Sequence, residues 1–339
     1  MTNGEENVPR CLARTALFLA GLAAVLAGLY AAGYRRYHVG DYAQPDAIFA
    51  AAPRFEYAVL GSSHARGVRL DKMGYKGGSF AVNGQDMFEV SYKARAIAPR
   101  LVGHKVVFVS VSYFTFVYDN AAYLEKGVAT RAERRLDMYA AFPRLSFVDG
   151  DLENYFKGVL HPIVTMDHWR RVLARDGAGS AGGAGGAGGA DADDDDEPKK
   201  VAEKKQTDAS LKKLAHRRCA EYAGIVRNML KNHPDVSADV LEETEAMVAR
   251  LRGYGARVVF FTSPFYNAYS ACFRAAWKKN MADNMRTLVR DTRVEYYDHS
   301  NDAAFAADPK MFRNSDHLSW AGVTKFSQAL KRDVEGGRI

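Results

Sequence analysis

Phe55-Glu56-Tyr57-Ala58-Val59-Leu60-Gly61-Ser62-Ser63-His64-Ala65-Arg66-Gly67 is a short apolar run that stops at a glycine and two serines before a polar segment. Such a run suits a buried strand whose last turn presents a side chain at the carboxyl edge of a sheet. Ser63 is the side chain so presented. A serine hydroxyl is a weak nucleophile, and acyl transfer needs a histidine in reach together with backbone donors for the developing oxyanion. The candidate histidine stands at the far end of the chain, in Asn314-Ser315-Asp316-His317-Leu318, followed by Ser319-Trp320-Ala321-Gly322. His64 is read as pointing away from the serine, toward the start of the next helix, in a structural role.

Working outward, residues 79–82 read as a short second strand, and Asn83-Gly84-Gln85-Asp86 as a turn into a helical pattern that runs to Pro99. The clearest strand is 105–112, where Val106, Val107, Phe108, Val109 and Val111 suit burial on both faces. Further on, a helix is expected over about 209–231. A second follows with Ser237 as N-cap and Val240, Thr244, Met247, Val248 and Leu251 on one face. Strands 257–262 and 294–297 flank a helical stretch over 271–290. Helix and strand alternate, which predicts an α/β fold with a mostly parallel central sheet and helices on both faces.

Before this domain, residues 15–34 carry no charge, and a helix of that length matches the roughly 30 Å of a bilayer core. The expectation is an N-terminal transmembrane helix after a polar segment over 1–14, with a cleaved signal peptide as the alternative. A linker over 35–54 joins it to the domain over 55–331, and 332–339 form a tail. A mostly helical insertion is expected over about 117–175. Residues 177–208, a Gly/Ala tract, an acidic block and several lysines, read as a disordered loop that buries too little apolar surface to fold. The adjacent carboxylates of residues 193–196 lack the spacing and turn glycine of a calcium loop.

Composition excludes several classes. Hydrophobic residues at 47% and charged residues at 26% are globular values. The net charge of +7 is spread out, with no arginine-rich tract interleaved with aromatics, so nucleic acid is not the expected partner. Cys11, Cys219 and Cys272 lack metal-ligand spacing and allow at most one intramolecular pair. No metal and no cofactor is expected, and the absence of a glycine-rich fingerprint after the first strand counts against a nucleotide-binding domain.

Gly61-Ser62-Ser63, Asn83-Gly84 and Ser315-Asp316-His317-Leu318, in that order, resemble the SGNH (GDSL-like) hydrolase superfamily. The branch they are most similar to is the membrane-anchored proteins of teichoic-acid D-alanyl transfer and alginate O-acetylation. The resemblance spans about 54–331 without the low-complexity tract. It implies a three-layer, flavodoxin-like sandwich, Ser63 as nucleophile and first oxyanion donor, Gly84 as second donor and His317 as general base. Two positions depart from the pattern. Where the family supplies an asparagine to the oxyanion hole this chain has Ser112, and where it has an aspartate three residues before the histidine this chain has Asn314. Asn314 is then the candidate orienter of the imidazole; Asp316, adjacent in sequence, is expected to diverge from it and is the second candidate.

The implied function is a membrane-anchored serine esterase or O-acyltransferase, its domain extracytoplasmic, acting on an acylated envelope glycan or polymer. A multi-pass membrane O-acyltransferase is the implied partner. The alternative is a lapsed SGNH-like domain that binds glycan or scaffolds such a partner.

Overall fold

The computed structural model describes residues 7–37, 54–119 and 206–337. The chain divides into two compact units, Met1–Ala43 with Arg135–Gly185, and Gln44–Arg134 with Gly186–Ile339. In the first, α1 (Asn7–Tyr37) is one helix that contains the apolar run. Its side chains are described over residues 12–28, and among the described residues no helix is long and apolar enough to cross a membrane.

The second unit is built on a sheet of β1 (Phe55–Leu60), β2 (Gly77–Ser79), β3 (Leu101–Ser110), β4 (Arg257–Thr262) and β5 (Glu295–Asp298). The spatial order is β2-β1-β3-β4-β5, and every pairing is parallel. The helices are α2 (Leu70–Met73), α3 (Met87–Ile97), α4 (Asp208–Asn232), α5 (Val236–Gly253), α6 (Asn267–Cys272), α7 (Ala275–Thr292), α8 (Ala303–Ala306) and α9 (Trp320–Gly336).

Burial follows the strand period. Val59, Phe108, Val259 and Phe261 join Leu70 and Met73 of α2 and Phe326, Leu330 and Val334 of α9 in one apolar cluster. The alternate residues Ala58, Leu60, Val107, Val109, Val258 and Phe260 are buried as well, and α3 packs on β1 while α5 packs on β4. With both faces covered, the strands read as continuous apolar runs and not as alternating ones. The order reverses between β1 and β3, which opens a crevice beyond their carboxyl ends.

Several boundaries differ from those expected from the sequence. The second strand is Gly77–Ser79, and the chain beyond it still runs along β1, with Phe80 N donating to Val59 O at 2.8 Å and Val82 N to Gly61 O at 3.2 Å. Ser237 does not cap α5: the N-cap is Asp235, without a side-chain cap bond, and Ser237 Oγ donates to Asn280 Oδ1 instead. The expected loop over 177–208 ends earlier, because Thr207 caps α4 through reciprocal bonds with Ser210. Residues 120–205, which hold nearly all of the expected insertion and loop, lie outside the described residues.

Cys219 on α4 and Cys272 at the end of α6 form a disulfide with a Cα separation of 6.1 Å, closing 53 residues of sequence. A closed loop of that length constrains the unfolded chain by about 2–4 kcal/mol. Cys219→Ser with Cys272→Ser is therefore expected to lower the urea unfolding midpoint by that equivalent. An unchanged midpoint would mean that the bridge does not constrain the chain.

Candidate active site

Two turns build the site. The first follows β1, where Gly61 has φ +135 and a Cβ would lie 2.8 Å from the Ser110 Cβ and 3.0 Å from the Ala65 Cβ. Only glycine fits so close to the β3 backbone, and the chain turns there into a 3-10 segment, Ser63–Gly67. Ser63 is half-buried at its start. Among the described residues, neither its amide nor its hydroxyl makes a hydrogen bond.

The second turn precedes α9. Phe312 and Leu318 pair as an antiparallel bridge, and Arg313 N donates to His317 O at 3.0 Å. Asn314 closes the turn from within: its Oδ1 accepts from the Asp316 amide at 3.1 Å and the His317 amide at 2.8 Å. This is the local role for which short amide side chains favour turns. The same oxygen lies 3.0 Å from His317 Nδ1, so Nδ1 carries the proton and Nε2 is left as the basic nitrogen. His317 Nε2 is buried and has no hydrogen-bond partner.

Asp316 does not diverge from the histidine. Its fully buried side chain places Oδ1 3.6 Å from His317 Nδ1 and accepts from Arg218 Nη1 of α4 at 3.2 Å on Oδ2. Burial opposes the carboxylate charge, but His317, His64 and Arg218 together draw the Asp316 carboxyl well below the usual range. The imidazole is thus oriented by a neutral amide oxygen and faced by an ionised carboxylate.

His64 is also placed differently from the expectation. It is buried, edge-on to Phe265 at 5.1 Å, with its ring 5.1 Å from that of His317. Its Nε2 is 3.5 Å from Asp316 Oδ2. Burial lowers its pKa and keeps it neutral, only partly offset by Asp316. The residue of the first turn that reaches His317 is therefore His64, and Ser63 Oγ makes no hydrogen bond to the imidazole. Donor atoms of His64, Asp316 and His317 all lie within 4.8 Å of one another.

Of the expected oxyanion donors, Gly84 sits at φ +67 on the turn after Val82, with open space where a Cβ would be. Ser112 is buried and committed to Thr115, its amide donating to Thr115 Oγ1 at 2.8 Å with the two hydroxyls 3.4 Å apart. Gln85, next to Gly84, is 5% exposed, and both atoms of its amide lack a partner. A glutamine in a turn is ordinarily solvated, so nothing in the sequence singles it out. A cavity of about 620 Å³ lies elsewhere, where Met281, Met285 and Val289 of α7 face Tyr296 of β5, and neither Ser63 nor His317 lines it. No family model matches the chain, and no curated protein matches it.

Proposed function

We propose that the chain is a serine esterase or O-acyltransferase of SGNH type, with a three-layer flavodoxin-like domain, that acts on an acylated envelope glycan or polymer. The observation that carries this reading is the buried, partnerless Nε2 of His317, its other nitrogen held on Asn314. Ser63 Oγ attacks the acyl carbonyl and gives its proton to His317 Nε2. The amides of Ser63 and Gly84 receive the oxyanion. The tetrahedral intermediate collapses to an acyl-enzyme as the His317 imidazolium protonates the departing alkoxide oxygen, releasing the polymer hydroxyl, and water or a second hydroxyl then attacks with His317 again as base. Asp316 supplies the negative charge that Asn314 lacks beside the imidazolium, and His317, His64 and Arg218 together keep that carboxylate ionised.

Gln85 takes the place of the absent side-chain donor, since its orphaned amide adjoins Gly84. Gln85→Ala is expected to lower kcat for a small acyl ester by about 10²-fold with little change in KM, and an unchanged kcat would remove it from the oxyanion hole.

Two further observations support an anchored, extracytoplasmic domain, while a multi-pass membrane O-acyltransferase as partner rests on the resemblance alone. Leu17, Phe18, Leu19, Leu22 and Val25 of α1 are exposed, as apolar side chains facing lipid would be, and the Cys219–Cys272 disulfide suits an oxidising compartment.

A second reading, a lapsed domain that binds glycan or scaffolds that partner, is favoured by one observation: Ser63 and His317 are not hydrogen-bonded. Catalytic hydrogen bonds are often loose before substrate arrives. A fluorophosphonate probe separates the two, with covalent mapping to Ser63 expected. Failure to label any serine would leave the scaffold reading standing.

A further inference from the structure

Acyl transfer leaves His64 without a task. Its side chain is 1% exposed, yet neither ring nitrogen has a hydrogen-bond partner. An orphaned buried polar atom costs about 1–3 kcal/mol, and in a folded protein it asks for an unseen ion or water. His317 Nε2 is a third such atom in the same place. Asp316 lies beside both histidines, its Oδ2 3.5 Å from His64 Nε2 and its Oδ1 3.6 Å from His317 Nδ1, the nitrogen held on Asn314.

We propose that His64, Asp316 and His317 bind a zinc-class divalent cation that occupies the site in competition with acyl transfer. Two imidazoles and one carboxylate with a fourth position open is a ligand set that zinc takes, and imidazole nitrogen selects zinc, copper or nickel over magnesium or calcium. Metal–ligand bonds of about 2.0–2.2 Å put tetrahedral donors roughly 3.4 Å apart. One donor atom from each residue lies within 4.8 Å of the others, so binding draws them together by up to about 1.4 Å.

The surroundings set the strength. Arg218 occupies Oδ2 at 3.2 Å and Ser315 Oγ donates to Oδ1 at 3.3 Å. A guanidinium so close opposes a second positive charge, which makes the cation exchangeable. His317, 14% exposed, is the side from which the ion enters. Because Nδ1 is held on Asn314, His317 binds through Nε2, and the ion then takes the lone pair that would accept the Ser63 proton, so the loaded protein is inactive as an acyl-transfer catalyst. His64 lies about 250 residues from the adjacent Asp316 and His317 in sequence, which is why no ligand spacing is visible there.

The test begins with full-length protein stripped by chelator and titrated with cobalt(II), then zinc. One equivalent of cobalt is expected to give the intense visible bands of a four-coordinate site, and zinc to abolish them. His64→Ala, His64→Gln and His317→Ala should each weaken binding by about 100-fold or more, while alanine at the exposed His104 or His216 leaves it unchanged. Near-UV circular dichroism identifies which of the two His64 variants keeps the native fold for this comparison. Wild type without a cobalt spectrum, or a folded His64 variant that binds as tightly as wild type, overturns the proposal. The cobalt titration does not depend on acyl transfer, so an absence of ester hydrolysis leaves its result standing. Where hydrolysis is measurable, one equivalent of zinc should suppress it more than about 10-fold in wild type and less in His64→Gln, each against its own metal-free rate. Equal suppression in the two would also overturn the site.

Discussion

Ser63→Ala and His317→Ala are each expected to cut the hydrolysis of a small acyl ester by about 10³-fold or more, and the double variant to lose little beyond either single change. The non-additivity follows from their acting as one unit: without the base the hydroxyl is not activated, and without the hydroxyl the base has no proton to take. Asn314→Asp is the informative companion. The aspartate oxygen can keep the two bonds that Asn314 accepts from the Asp316 and His317 amides, so the turn is retained while a charge is placed 3.0 Å from Nδ1. A second carboxylate favours the imidazolium. The rate should rise several-fold at pH 8 and its acid limb should move to higher pH. Steady-state rates across pH 5–9 check all of this, and full activity in Ser63→Ala would end the nucleophile assignment.

Lys93→Met is expected to stabilise the protein by about 3–4 kcal/mol at pH 7. Lys93 on α3 is fully buried and donates to the Phe80 carbonyl. Burial lowers its pKa from 10.5 to about 7, with Glu89 opposing the shift and Arg66 reinforcing it. The unfolded chain protonates this amine below about pH 10.5, whereas the folded chain does so only near pH 7. The penalty on folding is therefore complete below about pH 7, shrinks as pH rises and is gone above 10.5. Methionine fills similar volume without the charge, at the cost of about 1 kcal/mol for the lost bond to Phe80 O. Urea unfolding at pH 7 and pH 10 should give a large advantage for Lys93→Met that nearly disappears at the higher pH. An advantage independent of pH would show that desolvation of the amine is not its source.

Neither the burial of Lys93 nor the placement of His64 is legible in the chain alone. Lys93 lies in Met87-Phe88-Glu89-Val90-Ser91-Tyr92-Lys93-Ala94, where a lysine on an amphipathic helix ordinarily reaches water. Here both the sheet side and the α5 side of α3 are covered, because α3 packs on β1 and on α5. His64 depends on the path of a five-residue 3-10 segment, and a small rotation of that turn exchanges which of two neighbouring side chains meets His317. Ser237 failed as an N-cap for a related reason, since the helix begins one residue before it and its hydroxyl is taken by α7.

The α/β class was readable from the residues, because strands buried on both faces must be uninterrupted apolar runs such as Val106–Val109 and Val258–Phe261, and amphipathic helices must carry a 3.6-residue period. The inner geometry of the second turn was readable too, since Asn314 and His317 are three residues apart and one side-chain oxygen can reach the backbone and the imidazole together. Folding in three dimensions was needed to bring Arg218 of α4 onto Asp316, to tie the neighbouring Cys219 to Cys272 and to turn His64 onto His317. Those meetings join segments about 50 to 250 residues apart, and they follow from how the helices pack on the sheet, which no local pattern encodes.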